Sequence, residues 1–267
     1  MVLCISFNPR DLMNLIDTHC HLYLPDFASD LSEVIRRSEM EGVVQFYLPA
    51  IDHTTSLSVL NLEQQFPGKC YAMTGLHPCS VKADYETELK WVQDSLEGRR
   101  FAGIGETGLD FYWDRSFEKE QYIAFHQQIE LALHYGIPVI IHARDSLDQT
   151  IQIIKEHQKG KLTGIFHCFS GNPDAAAQIT ELGFYLGIGG VITYKNAGLA
   201  ETLRDVELKH MVLETDAPYL TPVPFRGKRN ESSYLKYILD KLAMVKEVSR
   251  EEVARITTEN ARKIFAR

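Results

Sequence analysis

The sequence predicts an α/β protein, one domain folded as a (β/α)₈ or TIM barrel, and three observations carry that prediction. Eight short runs rich in β-branched and aromatic residues recur along the chain, and segments with helical spacing lie between them. Eight strand–helix alternations imply a parallel sheet, and the count favours a closed barrel over an open doubly wound one. The chain has 267 residues, and such a barrel takes ~250.

Residues 1–12 are mildly apolar but are interrupted by Asn8, Pro9, Arg10 and Asp11. They lack a basic start and a small-residue cleavage site, so no secretory signal is expected. We read them as a poorly ordered extension, arising from an upstream start codon, and residues 13–267 as the barrel. The strand runs are 15–18, 43–50, 70–76, 101–106, 138–143, 162–168, 184–190 and 211–217. Helical spacing is clearest over 117–136, where Tyr122, Phe125, Ile129 and Leu133 form one apolar stripe. It recurs over 146–157, 173–182, 233–245 and 250–265. Asn172-Pro173-Asp174, and Ser249 before Glu251 and Glu252, place caps and acids where helices should open. No GxGxxG follows the first strand, which argues against a dinucleotide-binding fold. The glycines of Gly187-Ile188-Gly189-Gly190 are expected inside the seventh strand, as small residues letting a barrel wall pack closely.

Apolar residues make up 45% of the chain, enough for a large core. No run approaches the ~20 apolar residues of a membrane span. The five cysteines, at 4, 20, 70, 79 and 168, form no CxxC pair and are odd in number. Reduced thiols in the cytoplasm fit that better than a disulfide framework. A formal charge of −8 argues against coating nucleic acid by bulk electrostatics, though not against a local basic patch.

Barrel enzymes take their catalytic residues from the C-terminal ends of strands. Here those ends carry His19 and His21, His77, Glu106, His142, His167, and Glu214 with Asp216. The two-residue strand period points His19 and His21 to one side, and likewise Glu214 and Asp216. Histidines and carboxylates converging on one mouth make a site for Zn²⁺ or Mn²⁺ that also tolerates Mg²⁺. A lone histidine at a strand end is more often a satisfied polar residue, and HxH alone is weak. Five strands delivering metal-competent residues to one end is a different matter. His19, His21, Glu106, His142, His167 and Asp216 exceed the needs of one tetrahedral ion, so we expect two ions sharing a carboxylate, with Glu106 as the bridge. Glu214 is expected to orient a ligating histidine, and Cys20 to pack in the core. Cys79 and Cys168 lie near the rim.

Directly after Asp216 comes a proline-stiffened loop, 218–231, with three cations, Arg226, Lys228 and Arg229. In an acidic protein, a basic cluster beside a metal site marks where an anionic substrate docks; a solvated loop is the plainer alternative. Arg144 and Lys195 are weaker candidates for the same task.

These residues resemble the TatD-related deoxyribonucleases, a branch of the amidohydrolase-like metal barrels. The matching segments are IDTHCHL at 16–22, GLHP at 75–78, GIGETGLDFY at 103–112, PVIIHARD at 138–145, HCFSG at 167–171, GGVITYKNA at 189–197, LETDAPYL at 213–220 and PFRGKRNE at 224–231. The resemblance spans residues 16 to about 265. It implies a TIM barrel, divalent-metal-dependent phosphodiester hydrolysis, and ligand roles for His19, His21, Glu106, His142, His167 and Asp216. Two departures stand out: Ser232 where the family often has proline, which should loosen the loop, and the extension containing Arg10. Phosphotriesterase-like relatives bridge their metals with a carboxylated lysine from the strand that here ends in Glu106, and no lysine stands there.

The resulting expectation is hydrolysis of DNA by a metal-bound hydroxide, 3′-5′ exonuclease-like, on single-stranded ends, with neither a membrane nor an obligate protein partner. Asp216 would accept the water's proton, His77 contact the phosphate or leaving group, and Arg226, Lys228 and Arg229 clamp flanking phosphates. The alternatives are another ester, such as a small nucleotide-derived substrate or an aminoacyl ester on RNA, and a barrel that binds nucleic acid without cleaving it.

Overall fold

Val139, Ile140 and Ile141 follow one another with none of their surface exposed, which is what a strand covered on both faces requires. Alternation sends Ile140 inward and its two neighbours outward. Ile140 packs with Ile16, Tyr47, Met73, Ile165 and Val212, whereas Val139 and Ile141 join the larger core between strands and helices. The computed structural model describes residues 13–266. The extension read over 1–12 lies outside the described residues.

The strands are β1 (Leu15–Asp17), β2 (Val43–Leu48), β3 (Cys70–Ala72), β4 (Ile104–Asp110), β5 (Val139–Arg144), β6 (Gly164–Phe166), β7 (Tyr185–Ile188) and β8 (Met211–Leu213). Neighbours pair in parallel from β1 to β3 and from β4 to β8. Backbone bonds join the two sheets: Ala102 N–H donates to Ala72 O at 2.9 Å and Gly105 N–H to Thr74 O at 2.9 Å. Thr18 N–H donates to Leu213 O at 3.1 Å and closes the ring between β1 and β8. The expected barrel is thus what the chain forms.

The helices are α1 (Leu31–Met40), α2 (His53–Gln65), α3 (Tyr85–Gly98), α4 (Glu118–Tyr135), α5 (Leu147–His157), α6 (Pro173–Glu181), α7 (Leu199–Leu203), α8 (Leu235–Lys246) and α9 (Arg250–Phe265). The expected caps form: Asn172 accepts from Ala175 N–H at 2.9 Å and Ser249 from Glu252 N–H at 3.1 Å. Ala261 and Ile264 of α9 join the interior cluster of Ile16 and Val212, and so plug the end of the barrel opposite the mouth. None of the described helices is long and apolar enough to cross a membrane.

Most strands end short of the expected runs, and two of the differences shape the mouth. β4 runs on to Asp110, four residues past Glu106. Its pairing with β5 shifts register between Ile104 and Thr107. Such a bulge reverses the alternation, so Ile104 faces the outer core while Glu106, Gly108 and Asp110 share the inner side. β7 ends at Ile188, and Gly190 opens a 3₁₀ turn, Gly190–Thr193, instead of continuing the strand. Gly187 nonetheless answers to packing, because a Cβ there would sit 2.3 Å from the buried Glu214 carboxylate.

Candidate metal centre

The bulge in β4 puts the Glu106 carboxylate at the middle of the mouth, and its two oxygens serve two different sets of neighbours. Oε2 lies 3.2 Å from His19 Nε2 and 3.6 Å from His21 Nε2. Those two nitrogens are 3.6 and 3.4 Å from Asp216 Oδ1. Oε1 lies 2.9 Å from His142 Nδ1, 2.8 Å from His167 Nε2 and 3.4 Å from His77 Nε2. All six expected ligands therefore converge, with Glu106 shared between two groups.

His19, His21 and Asp216 reach the mouth from beyond the strands, since β1 stops at Asp17 and β8 at Leu213. Asp216 has φ 56° and Cys168, next to His167, φ 45°. Left-handed backbone at a residue other than glycine costs on the order of 1–3 kcal/mol and persists where its surroundings fix it. Asp216 is fixed by its N–H on His19 O at 2.9 Å and by Tyr219 N–H on its own carbonyl at 2.8 Å.

Hydrogen bonds on the far sides of the rings settle which nitrogen faces inward. The Tyr23 hydroxyl donates to Pro49 O at 2.7 Å and so accepts from His21 Nδ1 at 2.7 Å. His21 Nε2 is then left with a bare lone pair toward the cluster. Asp110 accepts from His142 Nε2 at 2.8 Å, freeing Nδ1 in the same way. His77 is reversed: its Nδ1 accepts Cys79 N–H at 3.0 Å, so Nε2 carries the proton. His77 therefore presents a donor to the mouth, whereas His21 and His142 present lone pairs.

Burial alone would raise the Glu106 carboxyl, but the surrounding rings, His167 first and then His77, His19 and His142, hold it well below the usual carboxylate range. Burial also opposes ionisation of Asp216, yet the surrounding rings of His21, His167 and His19 keep it low. His19, by contrast, is pushed down by burial and by His167.

The donor set fits divalent ions. His19 Nε2 and His21 Nε2 face each other at 3.2 Å, close enough for one cation to take both as ligands. Within each of the sets His19–His21–Glu106 and His19–His167–Asp216, the ligand atoms lie within 4.8 Å of one another, and His142 Nδ1 and His167 Nε2 flank Glu106 Oε1 at 2.9 and 2.8 Å. Imidazole with carboxylate suits borderline ions.

Glu214 is fully buried; it accepts Cys168 N–H and sits 3.5 Å from His167 Nδ1. It thus stands behind the His167 ring. Asp110, which an end of the fourth strand at Glu106 leaves out of the expected site, faces the same mouth. It accepts Tyr112 and Trp113 N–H at 3.0 Å each while holding His142. Asp110→Asn should weaken metal binding by roughly ten- to a hundred-fold, the usual effect of losing such a partner, as read by metal titration against a competing chelator.

The basic loop divides in two. Arg226 and Lys228 are exposed, with the Arg226 guanidinium 3.7 Å from the Tyr194 ring centroid. Arg229, expected in the same clamp, is engaged elsewhere: both oxygens of Asp30 accept from its guanidinium at 2.8 Å. The fork from Arg229, with burial opposing and Arg37 adding to it, holds the Asp30 carboxyl down at about 2. Arg229 is therefore a brace between the loop and the start of α1. Arg144 and Lys195 are exposed on the same side of the barrel.

Ser232, expected to loosen the loop, anchors it: its hydroxyl donates to Asp17 Oδ2 at 2.6 Å, beside Thr215 Oγ1 at 2.6 Å. Burial pushes the Asp17 carboxyl up to about 7 against these bonds. Asn230 adds two donations, to Thr215 O at 2.8 Å and Tyr219 O at 2.6 Å. Cys20 is buried in the core, and among the described residues Cys20, Cys70, Cys79 and Cys168 are free thiols.

Comparison with known proteins places this geometry. A family model described as TatD related DNase matches residues 16–266. The chain is 38% identical over 252 residues to the uncharacterized metal-dependent hydrolase YabD of Bacillus subtilis, covering 94% of this chain and 98% of that one. It is 30% identical over 257 residues to the 3′-5′ ssDNA/RNA exonuclease TatD of Yersinia pseudotuberculosis, covering 94% and 99%. Among solved structures, the TatD homolog YjjV of Escherichia coli superposes with a TM-score of 0.90 at 29% identity, covering 96% of this chain and 99% of that one.

Proposed function

The chain belongs to the TatD-related DNase family of metal-dependent hydrolases, and from that premise we propose that it hydrolyses phosphodiester bonds at single-stranded DNA ends, as a 3′-5′ exonuclease in the cytoplasm. The observation that carries the reading is the division of the Glu106 carboxylate, one oxygen toward His19 and His21 and the other toward His142 and His167. Two divalent ions held there would activate water and neutralise charge developing at phosphorus. His19, His21 and Asp216 hold one side of the pair, and His142 and His167 the other, with Glu106 common to both. Asp216 accepts the proton of the attacking water. His77, whose Nε2 carries hydrogen, donates to a phosphoryl or leaving-group oxygen. Glu214 and Asp110 fix the rings of His167 and His142. Arg226 and Lys228 hold flanking phosphates, contacts that carry little base information and so give limited sequence preference.

The test is reconstitution of stripped protein with Mg²⁺, Mn²⁺ or Zn²⁺, followed by assay on single-stranded DNA, duplex DNA and RNA with products sized on a gel. Stepwise shortening of single-stranded DNA is the expected result. Hydrolysis confined to a small nucleotide ester or an aminoacyl ester on RNA would replace the DNA reading.

Metal loss should also appear in stability. An ion at a hundred times its Kd stabilises a fold by about 2.7 kcal/mol. For a chain of this size that is roughly 5–10 °C in Tm. Elemental analysis should find up to two ions per chain, and chelation should lower Tm by that order. A stripped chain whose melting is unmoved by any of the three metals contradicts the site.

A further inference from the structure

Tyr112 and Trp113, just past the end of β4, are 53% and 67% exposed. Large aromatic side chains gain nothing from standing in water, and two in succession at a barrel mouth call for a partner. Their rings meet edge to face at 4.9 Å. Arg144, the last residue of β5, lies 3.9 Å above the Tyr112 ring and 5.3 Å from that of Trp113.

The pair is tied to the metal centre by one carboxylate. Asp110 Oδ1 accepts the backbone N–H of both Tyr112 and Trp113, and Asp110 Oδ2 holds the ligating His142. The platform thus has a fixed seat beside the candidate metal centre although its rings are open to solvent. An exposed aromatic face beside a guanidinium is the combination that stacks bases of unpaired strands: every base has a π-face, and the cation attracts both ring and phosphate.

We infer that Trp113 and Tyr112, with Arg144, form a subsite for an unpaired nucleobase next to the scissile phosphate. The inference deepens the phosphodiesterase reading and rests on it for the position of the scissile bond. A base held there must be unstacked from its neighbours, so the subsite selects single strands over duplex. Selection by stacking also leaves base identity nearly free.

The test uses two single strands of equal length, one of ordinary nucleotides and one whose sugars lack bases. Trp113→Ala should raise KM for the base-bearing strand roughly five- to a hundred-fold, the range of one lost stacking contact. It should leave kcat unchanged, and leave KM for the abasic strand unchanged. Trp113→Phe should recover most of the loss.

Binding is read separately by fluorescence. The chain has two tryptophans, Trp91 and Trp113, so in a Trp91→Phe background Trp113 alone reports. Oligothymidylate should quench it, and the abasic strand should not. Unchanged KM for the base-bearing strand in Trp113→Ala, equal loss on both strands, or absent quenching each overturns the subsite. Quenching by a strand that the wild type never cleaves keeps the subsite and removes the phosphodiesterase reading. Cleavage without quenching does the reverse.

Discussion

Glu106→Gln should lower turnover by more than about a hundred-fold, beyond the ten- to hundred-fold that follows loss of a mere supporting partner in a metal site. Gln is nearly isosteric, so the side chain still fits the buried space where Glu106 is 3% exposed. What changes is charge. One carboxylate now answers His19 and His21 through Oε2 and His142, His167 and His77 through Oε1, and an amide offers one neutral oxygen and an NH₂ that repels cations. Metal content after reconstitution should therefore fall together with activity. The melting temperature of the stripped variant should stay close to that of stripped wild type. A Glu106→Gln protein that keeps both ions and near-normal turnover would show that Glu106 does not bridge.

The six candidate ligands are legible in the sequence because metal ligation restricts residue type, and barrel topology restricts place. Histidines and acids at strand ends had few other destinations. What stayed hidden depends on geometry that composition does not carry. Asp110 follows Glu106 at an even spacing, but the register shift between Ile104 and Thr107 decides that Glu106 and Asp110 both face inward, and no residue type announces a bulge. The tautomers of His21 and His77 likewise depend on Tyr23 and on the Cys79 backbone. Arg229 looked equivalent to Arg226 and Lys228 because its partner, Asp30, stands 199 residues away. Helices α1, α2 and α3 were expected only as helical segments between strands. In α2, buried Ser56, Val59 and Leu62 are the core-facing contacts, too sparse a stripe to mark the element by itself.

The separation of Arg229 from its neighbours yields the other large effect. Arg226→Ala combined with Lys228→Ala should raise KM for single-stranded DNA by at least roughly a hundred-fold at low salt, since each charge-assisted contact is worth about 1.5–3 kcal/mol. The same variant should flatten the salt dependence. Each phosphate contact on a single strand contributes about 0.7 to the slope of log affinity against log salt, so two lost contacts remove about 1.4. Hydrolysis of bis-p-nitrophenyl phosphate, which has no flanking phosphate, should fall far less. Arg229→Ala should behave differently. It breaks the fork on Asp30 and the stacking over Phe27, where the guanidinium lies 4.6 Å from the ring. Its cost is then in folding, about 1 kcal/mol for a half-exposed pair, or 2–4 °C in Tm, with the salt slope intact. Both proteins are to be measured on the oligonucleotide and the minimal diester across one salt series, alongside thermal melts. A flattened slope in Arg229→Ala would return that residue to the phosphate clamp. Equal losses on both substrates in the double variant would mean that the loop supports the metal ligands and not the strand.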